Sequence, residues 1–142
     1  MWKYLLIFLL LSFTGGCSGD DALQQNVDCG SVGCTEQFET ISIEVKDDAG
    51  VKVPLDSFEV TDLLTNADLT ANYSEEELQI FRDNGRYPIY NDSFVEVHPN
   101  EDRSIVFKGF IGGNVVVTET YVVRADCCHV SLVSGDEVLI IN

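Results

Sequence analysis

Positive charge is the scarcest commodity in these 142 residues: eight Lys and Arg stand against 24 Asp and Glu, a formal net charge of −16. Nucleic acid is bound by clusters of Lys and Arg that neutralise phosphates, so no nucleic-acid partner is expected. Anionic lipid headgroups would repel the chain for the same reason. Histidine is nearly missing too, with only His98 and His129. A nucleophile needs a base within hydrogen-bond reach, so the acid–base inventory is thin. No Gly-x-Ser-x-Gly motif occurs, and no phosphate-cradling glycine loop precedes a helix. An EF-hand series of oxygen ligands ending in Glu is also missing. These absences predict a non-catalytic protein without a cofactor. Long apolar runs are lacking as well, the longest being the ten residues Tyr4 to Phe13. Crossing a bilayer takes about 20 apolar residues, so this run does not read as a membrane span.

Its length does suit the central region of an export signal. Lys3 precedes the run, no acid occurs before position 17, and Thr14-Gly15-Gly16-Cys17 closes it. This arrangement resembles a bacterial lipobox, with Thr14 where Leu is usual. The resemblance implies removal of residues 1–16, lipidation of Cys17 and a stable acyl anchor in a membrane. Seven basic residues would remain against 24 acidic ones, a charge of −17. Ser18-Gly19-Asp20-Asp21 is similar to the export stretch of Bacteroidetes-type lipoproteins. That likeness implies an outer-membrane, cell-surface-exposed location, with a periplasm-facing tether as the alternative. Residues 17–33 are polar and aperiodic and read as a lipidated N-terminus followed by a flexible acidic tether.

From residue 34 to 142 the chain reads as one β domain. Ile41, Ile43 and Val45 alternate with polar residues, which predicts a half-buried strand. Asp47-Asp48-Ala49-Gly50 is a turn, and Val51 and Val53 continue the alternation. Further strands are expected at 58–61, 87–90, 94–98, 104–111, 115–124, 128–133 and 138–141. Short strands at about ten-residue spacing predict an all-β antiparallel sandwich of about seven to eight strands. One helix interrupts them at 74–82, where Ser74 and Glu77 form a capping box and Gly85 supplies the stop. Because it breaks the strand rhythm, this helix and the loops are the expected contact for a protein or polysaccharide partner.

Asp126-Cys127-Cys128-His129-Val130, after the long Val/Thr strand, resembles the closing strands of carboxypeptidase-regulatory-like domains of bacterial lipoproteins. Cys34-Thr35 and the strand 41–45 resemble the opening of that family. The resemblance spans about residues 34–142 and implies a transthyretin-like sandwich acting as an accessory module without catalysis.

Four cysteines remain once Cys17 is set aside, an even number for an oxidising compartment. Bonding Cys127 to Cys128 would require a strained vicinal ring. Strand alternation puts Cys128 on the face of Val130 and Leu132, and Cys127 on the opposite face. A core-facing Cys34–Cys128 bridge and an outer Cys29–Cys127 bridge are therefore expected. Zinc held by Cys29, Cys34, Cys127 and His129 is the rival. Calcium at the acidic turns Asp47-Asp48, Glu101-Asp102 and Asp136-Glu137 is a second metal alternative, and a cryptic enzymatic site is a third reading. His98, before Pro99 at a strand end, reads as a surface residue.

Overall fold

A computed structural model describes residues 29–142. The lipobox, Cys17 and the Ser18–Asp21 stretch lie outside the described residues. Among the described residues, seven strands form two sheets. One sheet holds β3(Arg86–Asn91), β1(Thr40–Asp47) and β7(Val138–Ile141), in that order. The other holds β2(Ser57–Asp62), β4(Asp102–Ile111), β5(Asn114–Ala125) and β6(Val130–Ser134). The described residues thus form an all-β sandwich with a single α-helix among them, α1(Glu75–Asn84).

Period-two alternation builds the core. Ile43 and Val45 of β1, Ile105 and Phe107 of β4, and Tyr121 and Val123 of β5 are fully buried. Ile105 lies opposite Tyr121, and Val60 opposite Phe107, so side chains on one face meet across neighbouring strands. Tyr87 of β3 reaches between the sheets, accepting from the Leu55 amide at 2.6 Å and donating to the Val53 carbonyl at 3.1 Å.

Helix α1 forms where its capping residues require. The Ser74 hydroxyl accepts from the Glu77 amide, and the Glu77 carboxylate accepts from the Ser74 amide. Gly85 ends the helix in the left-handed region at φ 60°. Phe81 and Tyr73 pack edge to face, with ring centroids 4.9 Å apart, and both lie against Phe58 of β2.

Four expectations change. The strand expected at 94–98 is a 3-10 turn at Asp92–Phe94 followed by further turns. The Asn91 carboxamide accepts from the Ser93 amide at 2.9 Å, which bends the chain, and Phe94 stacks on Tyr90 at 4.6 Å. Residues 51–53 contribute only an isolated bridge from Lys52 to Lys46. The sandwich is not wholly antiparallel, because β7 lies parallel to β1, with Glu44 opposite Val138. The last strand pair also starts late: β6 begins at Val130, since the Asp126 carboxylate accepts from the amides of Cys128 at 2.6 Å and His129 at 2.8 Å. That side-chain turn holds residues 127–129 out of the ladder.

Candidate functional site

Among the described residues, two places gather chemistry, one at each end of the sandwich. The first is where the described chain begins. Cys29 is bonded to Cys127 and Cys34 to Cys128, so residues 29–33 are pinned to the sandwich. The partners are those expected, but the geometry that joins them is not strand alternation. Cys127 and Cys128 sit in the bend before β6, both half-buried, and Cys34 is exposed, so neither bridge lies in the core. With all four sulfurs in S–S bonds, Cys29, Cys34 and Cys127 offer no thiolate to zinc.

Beside the bridges runs a row of three polar side chains. His129 Nε2 lies 2.8 Å from the Thr35 hydroxyl, and Nδ1 lies 2.7 Å from Asp92 Oδ2. Because a carboxylate only accepts, Nδ1 carries the proton and Nε2 accepts from Thr35 when the ring is neutral. Asp92 also accepts from the Glu39 amide at 2.8 Å and the Val130 amide at 2.9 Å. Burial would raise the Asp92 carboxyl, but the Glu39 amide, the His129 ring and the Val130 amide together hold it below its ordinary range. The hydrogen bond to Asp92 conversely raises His129. Thr35, Asp92 and His129 come from three distant stretches, and the turn at 92–94 that replaces the expected strand is what brings Asp92 here. His98 lies in the loop before β4, 3.9 Å from Glu101.

The second place is a cleft of about 250 Å³ between α1 and β2. Phe58, Tyr73 and Leu78 form an apolar floor, and Asp56, Ser57, Thr70 and Asn72 line the rim. It lies at the opposite end from the disulfides. Strand β2 starts at the cleft with Ser57 and finishes at Asp62, which pairs with Arg103 close to the start of β4. Asn100, just before β4, has its amide 3.5 Å and 3.7 Å from the sulfurs of Cys29 and Cys127.

The acidic turns do not converge on a cation. Asp47 closes its own turn by accepting from Ala49 and Val51, while Asp102 pairs with Arg124 at the other end of the sandwich. Among the described residues no group of three or more His, Cys, Asp and Glu is placed to hold a metal. No helix among them is long and apolar enough to cross a membrane. No protein-family model, curated protein or solved structure matches the chain.

Proposed function

We propose that this chain is a lipoprotein of the bacterial envelope, anchored through acyl groups on Cys17, whose sandwich serves as a non-catalytic binding module. The observation that carries the reading is the polarity of the domain. The N-terminal segment enters through two disulfides at one end, and the helix-lined cleft opens at the other. An anchored module built this way presents its cleft away from the attachment point. Disulfides belong to oxidising compartments, which suits an exported chain. The resemblance to carboxypeptidase-regulatory-like domains points the same way, toward an accessory role beside other envelope proteins or polymers. The resemblance of Ser18-Gly19-Asp20-Asp21 to the Bacteroidetes-type export stretch supports an outer-membrane, cell-surface position.

Photo-crosslinking in living cells tests the binding face. A crosslinking residue in place of Ile80, exposed on α1, is expected to capture an envelope protein or polysaccharide. The same residue in place of Val133, exposed on β6, is expected to capture nothing. Capture from Val133 and not from Ile80 contradicts the assignment.

The Thr35–His129–Asp92 row favours a second reading. A hydroxyl, an imidazole and a carboxylate in this order are the components of nucleophilic acyl transfer. Thr35 would attack a carbonyl, His129 would take its proton, and Asp92 would hold the ring. The non-catalytic reading is preferred because the row lines neither the cleft at Asp56, Phe58 and Leu78 nor the one at Leu63, Leu64 and Arg103. Ester hydrolysis lost in both Thr35→Ala and Asp92→Asn would reverse that preference.

A further inference from the structure

The cleft between α1 and β2 has a chemistry narrow enough to name a class of ligand. Its floor is aromatic and aliphatic, from Phe58, Tyr73 and Leu78. Its rim carries polar groups that the fold leaves unpaired. Ser57 Oγ, the Asn72 carboxamide and the Tyr73 hydroxyl make no hydrogen bond to any described residue. Asp56 accepts from the Gly112 amide with one carboxylate oxygen, at 2.6 Å, and its other oxygen stays open. Donors and acceptors are therefore both on offer. No Lys or Arg lines the cleft, so nothing there would neutralise a phosphate, a sulfate or the carboxylate of an amino acid.

A ligand matching this lining has one apolar face and a periphery of neutral hydroxyls. A pyranose has that form: its ring C–H groups suit the floor, and its hydroxyls suit the amide, the hydroxyls and the carboxylate. Sites of this kind fix orientation with a few polar groups set around an apolar surface. The volume of about 250 Å³ suits a single sugar unit rather than several.

We infer that the cleft between α1 and β2 binds a neutral hexose unit, standing alone or as the end of a glycan. The inference rests on the reading of this end of the sandwich as the binding face, and supplies its ligand class. A cationic ligand is the nearest competitor, since Asp56 and Tyr73 could hold an ammonium group. The hexose is favoured because Ser57, Asn72 and Tyr73 offer neutral groups and Asp56 is the single charged residue of the lining.

Saturation-transfer NMR on the full chain tests this with the methyl glycosides of glucose, galactose and mannose, and with choline as the cationic probe. At least one glycoside is expected to bind weakly. Asn72→Ala and Ser57→Ala should each weaken it at least threefold while the thermal midpoint stays unchanged. Glycoside binding that neither substitution alters overturns the inference. So does binding of choline alone, or of none of the probes. Crosslinking from Ile80 that persists in the absence of any glycoside binding would remove the sugar and keep the binding face. Loss of both results would remove the face itself.

Discussion

At the scale of single residues, the most heavily committed side chain is Asp62. It is buried, and its carboxylate accepts from the amides of Leu64 and Thr65 at 2.8 Å each, from the Thr65 hydroxyl at 3.0 Å and from Arg103. Burial opposes the charge, yet these donors hold the carboxyl below its ordinary value of 3.8. Asp62→Ala would leave the guanidinium, itself 11% exposed, with its 3.5 Å pair to Glu101, and would strand three other donors. We predict a loss of about 3 kcal/mol in urea unfolding, the usual consequence of removing one partner of a buried pair. His129 makes a prediction of opposite sign in pH. Its pKa is raised above 6.5 by Asp92, so its contribution is complete below 6.5 and fades as pH rises through the raised value. Asp92 is lowered from 3.8, so its contribution fades only as pH falls through that lowered value. The gap in thermal midpoint between the native chain and His129→Gln should therefore be widest between about pH 4 and 6.5 and narrow above it. A gap that widens with rising pH would contradict this. The row was not legible in the sequence. His129 lies 37 residues from Asp92 and 94 from Thr35, and no local pattern links positions so far apart.

Among the elements, legibility follows how local the cause is. The α1 capping box depends on Ser74 and Glu77, three residues apart, and the helix forms around it. The alternation of Ile41, Ile43 and Val45 likewise reports one face of one strand. The residues 94–98 failed as a strand because Asn91 and Asp92 draw the backbone into a turn, a side-chain effect that hydropathy does not encode. The parallel pairing of β7 with β1 was equally hidden, since alternation looks the same for either direction. Counting the cysteines and setting aside a vicinal ring left two pairings, and the face assignment that chose between them, though it named the observed partners, is not the operative geometry. The turn between β6 and β7 depends on Gly135, at φ +123°. A Cβ there would meet the Tyr121 ring, whose hydroxyl donates to the Asp136 carbonyl at 2.9 Å. Gly135→Ala should cost about 2 kcal/mol by forcing strain and displacing a core ring, measured as a lowered urea midpoint with an unchanged slope.

At the scale of the whole molecule, the two disulfides close almost the same loop, with separations of 98 and 94 residues. Once one bridge exists, the other closes only the small ring through 29–34 and 127–128. In the chain-entropy model the large loop contributes on the order of 4.7 kcal/mol and the small ring on the order of 2. Removing either bridge alone, as Cys29→Ser with Cys127→Ser or Cys34→Ser with Cys128→Ser, should therefore cost about 2 kcal/mol, and removing both about 7. Additive losses in urea unfolding would show that the bridges act independently. The same bridges fix where an anchor would hold the domain, at the end opposite the cleft. That arrangement has meaning only if the chain is tethered from its N-terminal side. Intact-mass spectrometry of the protein extracted from membranes is the most direct test. The account predicts a chain that begins at Cys17, carries the added mass of acyl groups on that residue and retains two disulfides. An unmodified Cys17 within a chain that still carries residues 1–16 would contradict it.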